Sequence, residues 1–377
     1  MKKLFFGKIA SDSPAVAVVM AGGQGARFWP ASRLSCPKQF LRMPGSERSL
    51  IQGTVDRLQP DFAPSQVMVV TNVSQAALVQ EHLPEVAVLA EPVARNTAAC
   101  IAYAAKVVLA SAGDVPMVCL PADHIISPAS GLREVIGKAV QVAEKSDVLV
   151  TIGIKPDSPE TGYGYIHRGN NCGLANGTAV YKVRSFVEKP SLETAEEYLK
   201  SGDYYWNSGM FVWRPSVILE AIGNYLPDMA EKIDKVAGLL TNDVEEESRF
   251  EQAREIFSSI KPVSIDVGVL EKSSNTVIIP ADSFAWNDVG SWDSWALAAN
   301  RDSYDGSDNL IMGDALTVNC RDSVLVSSSG RTIAAVGLEG IVVIETADAV
   351  LVCDRRDAQS VKTVVELLKQ QGRELLL

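Results

Sequence analysis

The chain has 377 residues, 47% of them hydrophobic and 21% charged, an ordinary globular composition for one large or two unequal domains. A formal net charge of −11 argues against a nucleic-acid-binding face, so a phosphate ligand must be met by a local basic cluster or a metal ion. Six scattered cysteines without a CxxC pair read as reduced thiols, and three histidines without HExxH make a zinc site a poor reading.

At the N-terminus the apolar run Leu4 to Phe6 is shorter than the roughly 7–15 residues of a signal peptide. No stretch approaches the ~18 apolar residues of a membrane span. The expectation is a soluble, cytoplasmic protein with neither membrane nor nucleic acid as a partner.

From Ala15 to about Ile154, apolar strand-like runs alternate with helical patterns. AVAVVMA is followed by a glycine-rich loop and then SLIQGTVDRL, where Ser49 and Gln52 have capping-box spacing and Ile51, Val55 and Leu58 share a face. VMVVT precedes a short helix near Gln75 to Glu81. VAVLAEP leads to a helix through TAACIAYAAKVVLASA, which Gly113 ends. PMVCLPAD precedes the helix of LREVIGKAVQVAEK, and VLVTIGI closes the series. Buried strands separated by helices predict an α/β fold, Rossmann-like, with a mixed, mostly parallel sheet covered on both faces.

Beyond Lys155, TGYGYIHRG and AVYKVRSFVEKP read as strands, LETAEEYLKS as a helix stopped by Gly202, and WNSGMFVW as a strand. Helices fill Pro215 to about Ile260, and NTVIIPAD is a further strand. The polar stretch Asn300 to Asn309 reads as a linker. The expected division is residues 1–300 as a large α/β domain and 301–377 as a small β-rich domain. The latter contains ALTVNC, SVLVSS, TIAAVGL, IVVIET and AVLVCD and ends in a helix from about Ala358 to Gln370. It shows no repeat of fixed length and no cluster of catalytic side chains, so it is expected to support the fold or an interface.

The chemistry concentrates at strand ends. Gly22, Gly23 and Gly25 follow a buried strand, where an open α/β sheet holds its ligands and where glycine lets backbone N–H groups approach an anion. Arg27, Arg33 and Lys38 add charge, although Arg33 equally reads as a brace for the loop. Phe28 occupies the third glycine of GxGxxG, which excludes the dinucleotide fingerprint, and no P-loop is present. Asp123 ends the run PMVCLPAD, and Asp288 lies in WNDVGSW. Two such carboxylates can hold Mg²⁺ with phosphate oxygens, although Asp123 alone also reads as a turn cap. In FVEKP, Glu188 can accept hydrogen bonds from hydroxyls and Lys189 can neutralise a phosphate monoester.

Taken together, AGGQGARFWPASR, PKQF, EPVARNTA, LPADH, TGYGYI, FVEKP, WNSGMFVW, SIDVGVLEK and WNDVGSW resemble, in order, the bacterial mannose-1-phosphate guanylyltransferases of the sugar-phosphate nucleotidyltransferase superfamily. The tail VGLEGIVVIETADAVLVCDRRDAQSVK is also similar. Ala26-Arg27-Phe28, Ala94 and Val267-Gly268 depart from the usual family residues and bear on fine substrate preference. The resemblance is to a short form without the C-terminal isomerase domain, so isomerase activity is not expected.

The resemblance implies transfer of a guanylyl group from GTP to mannose 1-phosphate, with Mg²⁺ as cofactor. It assigns Arg27, Lys38, Asp123 and Asp288 to catalysis, with both aspartates as metal ligands. Gly22, Gly23, Gly25, Glu91, Arg95, Asn96 and Thr97 fall to the nucleotide. Gly162, Glu188, Lys189, Asn207 and Asp266 fall to the sugar phosphate. Arg95 also reads as a structural ion-pair residue, Asp266 as a helix cap, and Trp206 and Trp286 as packing residues. A different hexose 1-phosphate or nucleotide, or a non-catalytic nucleotide-sugar binder, is the competing reading; a homodimer is left open.

Overall fold

The computed structural model describes residues 4–23, 25–175, 178–239 and 246–377. Residues 1–3, Gln24 of the glycine loop and the 240–245 part of the expected helical stretch lie outside the described residues. The chain divides into two compact units that interleave in sequence. One comprises Met1–Gly22, Val55–Pro121 and Ile126–Trp286; the other comprises Gly23–Thr54, Ala122–Ile125 and Asn287–Leu377.

The first unit is built on a ten-stranded sheet. From one edge to the other its strands are Phe5–Phe6, Ala87–Glu91, Val67–Asn72, Val16–Met20, Met117–Pro121, Tyr204–Trp213, Leu149–Ile154, Thr276–Ala281, Thr178–Glu188 and Gly164–Ala175. Val16–Met20 pairs in parallel with both Val67–Asn72 and Met117–Pro121, in the pattern the apolar runs predicted. Tyr204–Trp213 runs antiparallel to Met117–Pro121 and Leu149–Ile154. Its first residues, Tyr204 to Trp206, also pair with Gly164–Ala175, which curls this end of the sheet onto itself. Val16, Ala17, Val18 and Val19 are all fully buried, so both faces are covered and the unbroken apolar run follows. Helices Asn96–Ala112, Pro215–Tyr225, Pro227–Leu239 and Glu246–Ser258 contribute to one apolar core with Val16, Val18, Met68 and Leu89. Gly113 ends the first of these helices at φ 83°, and Gly202 ends Leu192–Ser201 at φ 72°.

The second unit gathers an aromatic core of Phe28, Trp29, Trp292 and Trp295 with Val324, Val342 and Ile344, against helix residues Val361, Val365 and Leu368. Strands Leu310–Met312, Val324–Ser327 and Ile341–Glu345 stack in parallel, as do Ala315–Val318 and Ile333–Val336. Successive strands therefore form turns of a coil. Leu310 pairs with Val324, and Val324 with Val342, spacings of 14 and 18 residues; unequal turns explain why the sequence shows no fixed repeat. The stretch read as a linker is a folded turn: fully buried Asn309 donates Nδ2–H to Asp305 Oδ2 (2.9 Å) and Cys320 O (3.0 Å). The last helix spans Val361–Gln370 and is preceded by a 3₁₀ turn, Arg355–Ser360. Among the described residues no helix is long and apolar enough to cross a membrane.

Candidate active site

In the second unit the glycine loop is closed by short local bonds. Gly25 adopts φ 66°, and a Cβ there would lie 2.3 Å from Lys38 Cβ, so only glycine lets the two ends of the loop meet. Ser32 Oγ donates to Gly25 O (2.6 Å), and Phe28 N donates to the same carbonyl (2.8 Å). The 3₁₀ turn Ala26–Phe28 carries Arg27, which is half-buried and makes no side-chain hydrogen bond or ion pair among the described residues.

Lys38 is the fixed cation. Its side chain is 8% exposed; Nζ donates to Asp123 Oδ2 at 2.7 Å and to Asp288 O at 2.8 Å, and lies 5.4 Å from the Phe28 ring centre. One ammonium thus joins residues from three separate stretches of chain. Burial alone would raise the Asp123 carboxyl, but the charges of Lys38 and His124, with hydrogen bonds from Lys38 and the backbone, outweigh it and hold the group below the usual carboxylate range. Asp288 Oδ1 accepts from Gly290 N (3.0 Å). Between them Val289 sits at φ 49°, a strained conformation for a β-branched residue. Both carboxylates are hard oxygen donors of the kind that suits Mg²⁺. Among the described residues no group of three His, Cys, Asp or Glu forms a metal cluster. A cation here would therefore rely on two carboxylates plus ligand oxygens.

The first unit carries a second polar cluster. Asn207 Nδ2 donates to Asp266 Oδ1 at 2.7 Å, and Asn207 lies opposite Gly153 on the neighbouring strand. Gly164 pairs with Glu188; a Cβ on Gly164 would sit 2.6 Å from Glu188 Oε1 and 3.5 Å from Asn207 Cβ. Of the two glycines in TGYGYI, Gly164 is the one pressed against this cluster, whereas Gly162 has open space around it. Loss of water, then the charge of Asp266, pushes Glu188 up, and Lys189 partly offsets this. Loss of water likewise raises Asp266. Lys189 is exposed, makes no side-chain hydrogen bond among the described residues, and takes φ 46°, with its N–H donating to Tyr163 O (3.3 Å). Trp206 and Trp286 pack edge-on against Tyr163, each with ring centres 5.2 Å apart.

The segment Glu91 to Thr97 is tied into the same unit. Glu91 is buried at a strand end, Oε1 has no hydrogen-bond partner among the described residues, and burial pushes the carboxyl up to about 8. Its Oε2 lies 3.8 Å from where a Gly22 Cβ would stand. Arg95 spends Nε on Phe257 O (2.8 Å) and Nη2 on Ser258 O (2.7 Å), which caps a helix end. Thr97 Oγ1 accepts from Ile265 N (2.9 Å), next to Asp266. Asn96 sits at φ 67°. Three non-glycine residues in the left-handed region, Asn96, Lys189 and Val289, thus fall inside the three motifs EPVARNTA, FVEKP and WNDVGSW. Sequence reasoning had no signal for this strain.

The chain matches the family model described as nucleotidyl transferase over residues 16–304 and that of the MannoseP isomerase/GMP-like beta-helix domain over residues 313–368. It is 38% identical to the mannose-1-phosphate guanylyltransferase of Escherichia coli K12, across 96% of this chain and 75% of that protein. It is 41% identical to the xanthan biosynthesis protein XanB of Xanthomonas campestris pv. campestris, across 96% and 74% respectively. Among solved structures, one titled mannose-1-phosphate geranyltransferase, from Thermus thermophilus, superposes with a TM-score of 0.82 at 30% identity, covering 95% of this chain and all of the other.

Proposed function

The chain belongs to the nucleotidyl transferase family, among its bacterial mannose-1-phosphate guanylyltransferases, and we propose that it converts GTP and α-D-mannose 1-phosphate to GDP-mannose and diphosphate. The observation that carries this reading is agreement along 96% of the chain with a relative of that name. A phosphate oxygen of the sugar attacks the α-phosphorus of GTP in line. The bond from that phosphorus to the α,β-bridging oxygen breaks, and diphosphate leaves with the electron pair. The nucleophile is already an anion, so no side chain need remove a proton. Positioning and charge neutralisation carry the rate.

The roles divide by chemistry. The N–H groups around Gly22, Gly23 and Gly25 meet nucleotide phosphates, and Arg27, a cation without a protein partner among the described residues, stabilises charge on the leaving diphosphate. Lys38 serves the same end, held ready by Asp123 and the Asp288 carbonyl. Asp123 and Asp288 would hold Mg²⁺, which when bound neutralises the two approaching phosphates. Lys189 takes the sugar phosphate. Gly162, Glu188, Asn207 and Asp266 take the sugar, and Gly164 leaves room for Glu188 and Asn207. Glu91, Asn96 and Thr97 lie on the base and ribose side, with Arg95 fixing that segment.

A cytoplasmic location suits six free cysteines, which a reducing compartment preserves. Diphosphate release from a panel of four nucleoside triphosphates and several hexose 1-phosphates, with Mg²⁺, tests the reading. GTP with mannose 1-phosphate should give the highest kcat/KM. A better pair with UTP, dTTP or glucose 1-phosphate would overturn the substrate assignment, and no release with any pair would overturn the reaction. Light scattering of the same preparation decides whether the enzyme is a homodimer.

A further inference from the structure

The C-terminal region, expected from its sequence only to support the fold or an interface, holds the glycine loop directly within the second unit. Trp29 Nε1 donates to Leu376 O at 2.8 Å, and Arg33 Nη1 donates to the same carbonyl at 2.9 Å. Arg33 Nη2 donates to Asp348 Oδ1 at 2.7 Å, and the guanidinium lies 5.3 Å from the centre of the Trp29 ring. Asp348 is itself fixed by Thr346 Oγ1 at 3.0 Å. The guanidinium therefore spans a carbonyl and a carboxylate from two separate C-terminal stretches while stacking on a loop residue. Such a planar fork has no equivalent in lysine.

This brace lies between the two cations of the loop. Arg27 precedes Trp29 by two residues, and Lys38 follows Arg33 by five. Ala31 N and Ser32 N both donate to Phe28 O, and Arg33 and Cys36 exchange backbone hydrogen bonds. A shift of Trp29 or Arg33 is thereby passed along a tightly bonded loop to both charged ends. A displacement of about 1 Å in a positioned group can cost about 10²-fold in rate.

We propose that Arg33 is a positioning residue, which acts through Asp348 and the Leu376 carbonyl to set the loop carrying Arg27 and Lys38 for phosphate binding. It does not itself touch the substrate. The phosphate-binding role of Arg27 and Lys38 rests on the proposed function, whereas the ordering of the loop by Arg33 does not.

A double-mutant cycle tests it, run on whichever substrate pair the unmodified protein turns over fastest. Arg33→Met should lower kcat/KM for the nucleotide by about 10²-fold and leave KM for the sugar phosphate unchanged. Arg33→Lys should rescue little, since it keeps the charge but loses the fork. Asp348→Asn should by itself lower the same kcat/KM about tenfold, and the double variant should be no worse than Arg33→Met alone. A neutral Asp348→Asn, or a double variant whose losses multiply, would show that Arg33 acts without Asp348 and overturn the proposal. The Asp348 side chain is 48% exposed, so Asp348→Asn keeps the test open if Arg33→Met fails to fold. Hydrogen exchange gives a readout independent of turnover: both variants should speed exchange at the amides of Phe28, Ala31 and Ser32. Unchanged exchange there would equally refute the role, even if no substrate pair is turned over.

Discussion

The polar cluster around Lys38 and the one around Glu188 are built on opposite principles. In the second unit, a buried ammonium is neutralised by protein, Asp123 is held ionised by it, and the loop is locked by Gly25. In the first unit, Glu188 and Asp266 are two acids raised above their usual range, and the nearby cation Lys189 is exposed with no hydrogen-bonded partner among the described residues. The first arrangement is preorganised for charge, where a water-poor setting makes each contact strong. The second leaves two acids and an exposed cation for a ligand to meet, which fits the proposed roles of hydroxyl and phosphate recognition. Affinity for the sugar should therefore be easier to tune than the rate of the phosphoryl step.

The largest break in this contrast should come from Asp288→Asn. It changes little volume and keeps a hydrogen-bonding group opposite Gly290 N. Turnover should fall about 10²–10³-fold with the fold intact, and excess Mg²⁺ or Mn²⁺ should restore part of it. Near-normal turnover at limiting Mg²⁺ would remove Asp288 from the metal site.

A smaller effect is expected from Lys189→Met in the other cluster. The exposed side chain contributes through solvent, so KM for mannose 1-phosphate should rise about tenfold while KM for GTP stays constant. Equal changes in both constants would mean that Lys189 does not discriminate between the substrates.

The smallest effect concerns stability. Glu91 is raised to about 8 by burial, against about 4.3 for an ordinary glutamate. Between those values the folded protein keeps a proton that the unfolded chain has lost. Stability should thus fall as pH rises through this window and level off above about 8. Glu91→Gln should flatten that slope by a few degrees in Tm between pH 5 and 8. An unchanged slope in thermal unfolding would show that Glu91 does not titrate as the geometry requires.

What the sequence alone determined is local. Apolar runs located the sheet strands because burial on both faces leaves no polar position along them, and Gly113 and Gly202 marked helix ends because the next residue must leave the helical region. The motif segments located strand ends and candidate residues. The tertiary structure decided which of these meet. Lys38 reaches the Asp288 carbonyl across 250 residues, and Trp29 reaches Leu376 across 347. Nothing in a local period encodes such contacts, because they depend on how separate elements pack and not on the spacing of neighbours. The close approach of Glu188 to Gly164, the left-handed backbone of Lys189 bonded to Tyr163 O and the commitment of Arg95 to a helix end are of the same kind. Each is imposed by a neighbour that is distant in sequence, whose closed position holds a backbone angle or consumes a donor that the isolated motif would have left free.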